Sequence, residues 1–121
     1  MADLDQMLDT FAGTEGVQAA VVTSRDGLVI CGRQNQESDS LEAVGAMSAS
    51  LVSTLDAMAS DLGRGAVGQA IIELEDGLAV VQPAGSLAVL TLLVGSSVNL
   101  GRVRLALRKN ELLVREAVAN L

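Results

Sequence analysis

The first apolar residues of the chain recur at helical spacing. They stand three and four positions apart with aspartates between them, which places them on one side of a helix. Acidic residues in the early turns also suit the positive end of the helix dipole. The pattern predicts an amphipathic helix that is closed by Gly13 and Gly16. Its apolar stripe consists of Leu4, Met7, Leu8 and Phe11.

Strand-like segments follow this helix. Residues 17–23 and 28–31 are rich in apolar and β-branched side chains and flank a turn with the dipeptide Asp-Gly, which predicts a β-hairpin. Residues 69–74 and 78–82 flank a second Asp-Gly turn and predict another hairpin. Residues 87–94 are apolar at nearly every position, as in a strand that is covered on both faces. We therefore expect this last strand in the middle of a sheet.

Two further helices complete the predicted fold. Residues 38–40 offer N-cap side chains for a helix over residues 40–62, and Ser96 or Ser97 does so for a last helix that runs to the C-terminus. The resulting order is α-β-β-α-β-β-β-α. Short connections and this order predict one α+β domain over residues 1–121, in which three helices cover a five-stranded antiparallel sheet.

The helix over residues 40–62 carries two stripes without charge. One contains mostly large apolar residues and is expected to cover the sheet: Leu41, Val44, Ser48, Leu51, Leu55, Met58 and Leu62. The other consists of alanines and serines on the roughly opposite side. Because small residues let a second helix approach closely, this side predicts a homodimer, with a higher assembly also allowed. A weakly polar solvent surface is the alternative.

The strand at residues 69–74 is expected at a sheet edge, where it can pair with the same strand of a second copy. Glu73 and Glu75 on one face of this strand are interpreted as charges that discourage aggregation, with a catalytic pair of carboxylates as the alternative. The predicted dimer interface consists of Ala43, Ala46, Met47, Ser50, Ser53, Ala57, Ile71 and Glu73.

Composition excludes several classes of function. The chain has 8 basic and 15 acidic residues, one aromatic residue, no histidine and a net charge of −7. Without histidine there are no Ser-His or Cys-His nucleophile pairs and no histidine-ligated zinc, and we expect neither a cofactor nor a metal. The negative charge and the scarcity of aromatic rings argue against nucleic-acid binding.

The chain is expected to work in the cytoplasm. Its first residues are acidic, unlike a signal peptide, and no apolar run approaches the roughly 18 residues of a membrane span. The single cysteine, Cys31, has no partner for an internal disulfide. We interpret Cys31 as a buried structural thiol, with a reactive thiolate as the alternative.

Basic residues concentrate at the C-terminal end. Residues 102–121 carry 5 of the 8 basic residues and 2 of the 15 acidic ones, which is typical of a solvated helix face. Leu105 and Leu112 lie among these cations, away from the main apolar stripe of the last helix. We expect both leucines to pack on the first helix, whose aspartates suit the cations. A docking patch is the alternative.

Residues 63–68 match the G-x-G-x-x-G pattern of dinucleotide-binding loops. That pattern requires a strand before it and a helix after it, whereas here it follows a helix and enters a strand. We interpret it as a helix cap followed by a turn.

Three segments, in their order and spacing, resemble the Roadblock/dynein light-chain family and, within it, the bacterial MglB-like members. They are residues 16–22 followed by Asp26-Gly27-Leu28, the small-residue helix over residues 43–62, and residues 99–105 at the start of the last helix. The resemblance implies a profilin-like sandwich that dimerises through its central helix and third strand. It also implies a non-catalytic platform for Ras-like small GTPases, whose hydrolysis MglB-like members stimulate.

The same resemblance implies that the paired central helices face the GTPase. By position, the predicted partner-binding residues are Glu42, Gly45, Ala49, Asp56 and Arg64. An inserted arginine finger is not implied. The alternative is an assembly adaptor in a bacterial signalling or motility complex without GTPase contact. A third hypothesis, an enzyme that uses Cys31 or the edge carboxylates, is disfavoured by the missing histidines.

Overall fold

The computed structural model describes residues 3–35, 40–96, 98–119 and 121. Over these residues the predicted order of elements is confirmed, except that the last helix is divided in two. The elements are α1 (Leu4–Ala12), β1 (Val17–Ser24), β2 (Val29–Gln34), α2 (Leu41–Leu62), β3 (Ala70–Leu74), β4 (Gly77–Ala84), β5 (Ala88–Gly95), α3 (Leu100–Lys109) and α4 (Glu111–Val118).

Asn110 separates α3 from α4. Its φ of −105° and ψ of 18° leave the helical region, and its side-chain amide donates a hydrogen bond to the Ala106 carbonyl at 2.8 Å. An asparagine side chain that binds nearby backbone competes with helix propagation, which explains the break. The prediction of one continuous last helix was therefore wrong at this residue.

Polar side chains cap the longer helices. Ser40 accepts a hydrogen bond from the Ala43 amide at 3.2 Å and is the N-cap of α2, as predicted, whereas residues 38 and 39 lie outside the described residues. Helix α3 is capped by Asn99, which accepts from the Gly101 amide at 2.9 Å. The predicted cap at Ser96 was wrong, and Ser97 lies outside the described residues.

The five strands form one antiparallel sheet in the order β2-β1-β5-β4-β3. Strand β5 lies in the middle and β3 lies at an edge, and both positions were predicted. The register pairs Ile71 with Val80 and Ile72 with Ala79, so neighbouring residues of β3 point to opposite faces of the sheet.

Helices cover both faces of the sheet. The larger core contains Met7 and Phe11 of α1, Leu90 and Leu92 of β5 and Leu107 of α3, so α1, α3 and α4 share one face. On the other face, α2 forms a smaller core, which contains Val52, Val81 and Val89. Successive buried residues of β5 point alternately towards the two cores. This explains why the sequence of β5 is apolar at nearly every position.

Gly45 determines how closely α2 approaches the sheet. A Cβ atom at this position would lie 2.7 Å from Thr23 Oγ1 and 3.2 Å from Val29 Cγ2, closer than packed atoms tolerate. The side of α2 that faces the sheet is therefore centred on small and medium residues. Its buried members are Gly45, Ser48, Ala49 and Val52.

Candidate partner-binding surface

An exposed apolar stripe runs along α2. Met47, Met58 and Leu62 are 65%, 54% and 59% exposed. Their spacing places them on one side of the helix, turned away from the buried side. Met58 and Leu62 were predicted to cover the sheet, and this was wrong because the contact side is centred on Gly45 and Val52 instead.

The small residues of α2 continue this exposed surface. All the alanines and serines predicted for the outer side are exposed to solvent: Ala43, Ala46, Ser50, Ser53, Ala57 and Ser60. The outer surface of α2 therefore combines a flat strip of small side chains with a neighbouring row of large apolar ones. Such a surface suits close approach by a second helix.

A groove of about 650 Å³ separates α2 from the β3–β4 hairpin. Met47 and Leu51 form its wall on the helix side, and Ile72 and Leu74 form its wall on the sheet side. The buried hydroxyl of Thr91 lies in its lining and has no hydrogen-bond partner among the described residues. One copy of the chain therefore leaves the β3 end of this sheet face uncovered by α2.

The predicted interface residues of β3 lie on the other face. Ile71 and Glu73 pair with Val80 and Leu78, which belong to or contact the larger core under α3 and α4. Ala70, Ile72 and Leu74 are the β3 residues whose side chains share a face with α2. The edge position of Ile71 was predictable from the sequence, but periodicity alone does not say which sheet face a second copy would approach.

Two of the predicted partner-binding residues are buried. Gly45 and Ala49 lie on the side of α2 that contacts the sheet, so they offer no surface to a partner, and their assignment was wrong. Glu42 and Arg64 are exposed, at the beginning of α2 and just after its end. The resemblance indicates which residues belong to the helix. It does not indicate how the helix is rotated about its own axis against the sheet, and this rotation depends on Gly45.

Asp56, the remaining predicted residue, forms an ion pair. Its carboxylate accepts from Arg25 Nη1 at 2.9 Å, and Arg25 Nη2 donates to the Gly85 carbonyl at 3.4 Å. The pair connects α2 to the β1–β2 turn and the β4–β5 turn. Local sequence patterns do not indicate that Arg25 pairs with Asp56, because 31 positions separate the two residues.

The loop after α2 begins with a left-handed glycine. Gly63 has φ 63° and ψ 31°, and its amide donates to the carbonyls of Ala59 and Ser60. This geometry ends the helix and directs the chain towards β3. The interpretation of residues 63–68 as a helix cap and turn is confirmed.

The aspartates of α1 bind an arginine of the sheet, whereas the cations of the last helix were predicted as their partners. Arg33 of β2 donates to Asp5 at 2.7 Å and to Asp9 at 3.1 Å. The hydrogen bond from Arg33, with a smaller contribution from Cys31, holds the pKa of Asp5 below its ordinary value. The same carboxylates raise the pKa of Arg33.

Among the described residues, no ion pair joins a cation of α3 or α4 to an aspartate of α1. Leu105 and Leu112 are 53% and 63% exposed, so the prediction that they pack on α1 was wrong. Cys31 is half-buried and packs against the larger core, with its sulfur 3.6 Å from Asp5 Oδ1.

Within the described ranges, no three acidic, cysteine or histidine side chains come together as metal ligands would. Over the same ranges, no helix has the length and apolar character that crossing a membrane requires.

The three-layer arrangement defines a profilin-like sandwich. Profilin II of Acanthamoeba castellanii superposes with a TM-score of 0.63 at 18% identity, over 90% of this chain and 94% of profilin. The chain belongs to the Roadblock/LC7 domain family, whose model matches residues 3–94. Two uncharacterised proteins of Methanocaldococcus jannaschii are each 32% identical over 106 residues, which cover 88% of this chain and 91% of theirs.

Solved structures share this fold. A Roadblock/LC7 domain from Streptomyces avermitilis is 26% identical with a TM-score of 0.81, over 95% of this chain and 94% of that one. MglB of Myxococcus xanthus is 15% identical with a TM-score of 0.86, over 98% of both chains. An MglB described in a tetrameric arrangement is 24% identical with a TM-score of 0.85, over 97% and 89%.

Proposed function

We propose that this protein is a homodimeric, non-catalytic regulatory module that binds a Ras-like small GTPase. Membership of the Roadblock/LC7 family and the fold shared with MglB support a regulatory or adaptor role. The observation that carries the proposal is the exposed outer surface of α2 beside the uncovered groove at β3 and β4. A lone copy would leave this continuous apolar area in water, and such areas mark interaction sites.

A second copy of the chain fits this area. The strip of small residues lets two α2 helices approach closely, and the large side chains at Met47 and Met58 can then enter the neighbouring groove of the other copy. Strand β3 offers its unpaired edge to the same strand of the partner. One MglB is described in a tetrameric arrangement, which supports association between copies of this chain as well.

The dimer is tested by Ser50→Arg, which adds a long charged side chain at the exposed centre of the small-residue strip. Bringing this charge into a close helix contact would remove it from water without a partner, so we expect monomers in light scattering. Thr10→Arg on α1 adds the same charge to an exposed position of the opposite layer and serves as the matched control. If Ser50→Arg scatters as the wild type does, the α2 interface is refuted.

The GTPase surface would lie across the paired helices. Glu42 and Arg64 stand exposed near the two ends of α2, and an antiparallel pair of helices would bring Glu42 of one copy towards Arg64 of the other. A partner that covers both copies would thus meet charges of both signs around an apolar centre. Such an arrangement of charged rim and apolar centre is common at specific protein interfaces.

Affinity capture from host lysate tests the GTPase, with GDP in one arm and a non-hydrolysable GTP analogue in the other. We expect a Ras-like GTPase on the immobilised wild type, preferentially with the analogue, and none on Ser50→Arg. Hydrolysis by the purified GTPase is then measured with and without the protein, because stimulation separates a regulator from a scaffold. If no GTPase is retained in either arm, the adaptor without GTPase contact replaces this proposal.

A further inference from the structure

A second groove lies on the other face of the sheet, between the α3–α4 pair and the β3–β4 hairpin. Its volume is about 820 Å³. The floor contains the apolar side chains of Ile71, Leu107 and Val114, and the hairpin side carries Gln69 and Gln82, whose amides bind each other at 3.2 Å. This groove is separate from the α2 surface and does not depend on the function proposed above.

Arginines line the helix side of this groove. Arg104, Arg108, Glu111 and Arg115 all belong to its lining and are spaced by four, three and four residues. This spacing keeps them in one row along α3 and α4 in spite of the break at Asn110. Three cations against one carboxylate make the groove basic, although the whole protein carries a net charge of −7.

Two of these arginines have no carboxylate partner among the described residues. Arg104 and Arg108 form no ion pair there, and Arg115 reaches only Glu111 of its own helix, at 3.5 Å. By contrast, Arg25, Arg33 and Arg102 each bind an acidic side chain at 3.1 Å or less. Among the described residues, most of the positive charge of the groove is therefore uncompensated.

Exposed leucines accompany the cations. Leu105 and Leu112 follow Arg104 and Glu111 directly in sequence and project from the outer side of the same two helices. Neither leucine lines the groove, so a ligand held by the arginines would contact them only if it extends beyond the groove onto the outer side of the two helices. The row from Arg104 to Arg115 extends over about 16 Å at the helical rise, which matches a short peptide better than a small ion.

We propose that the α3–α4 groove binds an acidic, leucine-containing peptide segment of a partner protein. Charge complementarity selects this occupant, because the groove carries three arginines against one glutamate whereas the whole protein has a net charge of −7. A second copy placed groove to groove would bring arginines against arginines. A small anion would leave the apolar floor at Leu107 and Val114 without a contact.

Nuclear magnetic resonance titration of the ¹⁵N-labelled protein tests this proposal. The probe is a capped, glutamate-rich peptide with leucines at every third or fourth position, and the control peptide carries glutamine in place of each glutamate. We expect shifts confined to α3, α4 and the β3–β4 hairpin, which include the Arg104 and Arg108 side chains and weaken as salt is added. The glutamine peptide should cause no such shifts.

Substitutions of single arginines and of pairs test which side chains contribute to peptide binding. Arg104→Gln with Arg108→Gln should weaken peptide binding by about tenfold or more, because charged hydrogen bonds are lost. Arg102→Gln serves as the matched control, because this exposed arginine of α3 pairs with Glu15 outside the groove. It should alter binding by less than about twofold. Unchanged amide shifts in β1 and β5 show that each variant is folded.

Several results would overturn the proposal. They are the absence of binding by the acidic peptide, equal binding of the glutamine peptide, and an equal loss in Arg102→Gln and the double variant. Displacement of the peptide by inorganic phosphate at matched ionic strength would show a small-anion site instead. Loss of binding in Leu105→Ser with Leu112→Ser would support the role of the leucines.

Discussion

At the scale of single residues, one glycine determines which side of α2 meets the sheet. Gly45 faces Thr23 and Val29, and the distances leave no room for a methyl group. Intrinsic helix propensity opposes this choice, because glycine in a helix interior costs about 1 kcal/mol relative to alanine. The close approach of α2 to β1 therefore explains a residue that the helix alone would disfavour.

Gly45→Ala should destabilise the protein. Overpacking at this position costs about 1–3 kcal/mol, which exceeds the roughly 1 kcal/mol gained in helix propensity. The free energy of unfolding, measured by urea denaturation at one fixed protein concentration, should fall by about 1 kcal/mol. Ser60→Ala is the control for propensity, because Ser60 is exposed on the same helix, and it should be neutral or slightly stabilising.

A double variant separates overpacking from other causes. Thr23→Ala removes Oγ1, the atom closest to the added methyl group, so Gly45→Ala should cost less in that background than in the wild type. Equal costs in both backgrounds would mean that Thr23 does not limit the approach of α2. A stabilising Gly45→Ala would contradict the interpretation entirely.

At the scale of elements, Arg33 connects α1 to the sheet. It reaches from β2 to both Asp5 and Asp9, two residues separated by about one helical turn. The aspartates were recognisable in the sequence as one face of a helix, but their partner was assigned to the wrong element. Only the packing of α1 beside β2 brings Arg33 within reach.

Arg33→Gln should raise the pKa of Asp5 towards its ordinary value of 3.8, because the hydrogen bond from Arg33 is the main cause of the lowered pKa. A lowered folded-state pKa stabilises the fold above the unfolded value, and this contribution disappears as pH falls through the folded value. The stability difference between wild type and variant should therefore be present near neutral pH and shrink below about pH 4.

The pKa is measured from the pH dependence of the Asp5 carboxyl carbon resonance. Arg102→Gln, which removes the separate pair with Glu15, is the control and should leave the Asp5 titration unchanged. An identical Asp5 pKa in wild type and Arg33→Gln would show that the pair does not persist in solution.

At the scale of the whole molecule, dimerisation would add stability to each chain. Most of the larger core, under α1, α3 and α4, is buried within one copy, whereas the outer surface of α2 and its groove are open to solvent. Association couples folding to concentration, because a partner that binds only the folded state stabilises it by mass action. The Tm of the wild type should therefore rise with protein concentration.

Differential scanning calorimetry over a wide range of concentrations measures this effect. Ser50→Arg should show a Tm that does not depend on concentration, and Thr10→Arg should behave as the wild type does. A constant Tm for the wild type would indicate that the α2 surface stays open in solution, and a partner of another kind would then have to cover it.

Much of the fold followed from local patterns. The helix spacing of Leu4 and Phe11, the Asp-Gly turns and the apolar run of β5 predicted the elements, their order and the central and edge strands. The division at Asn110 escaped prediction because both halves of the last helix keep one apolar periodicity. A single side-chain hydrogen bond ends α3, and periodicity does not detect it.

The candidate surfaces were predicted less completely. The small residues of α2 predicted an uncharged outer face, but the resemblance assigned Gly45 and Ala49 to the partner-binding surface although both are buried. Helical spacing gives the relative angles of residues, whereas the rotation of α2 depends on which side fits against Thr23 and Val29. The resemblance to a family could not supply this rotation either.

The sequence by itself determined the order of the helices and strands up to the break at Asn110, the acidic character of the protein and the basic C-terminal end, because each depends on neighbouring residues or on composition. The tertiary structure decided which charges meet and which grooves form. Arg25 and Asp56 are 31 positions apart, and the α3–α4 groove joins residues 68–85 to residues 104–115. Contacts between distant segments depend on how the layers stack, and no local pattern encodes that geometry.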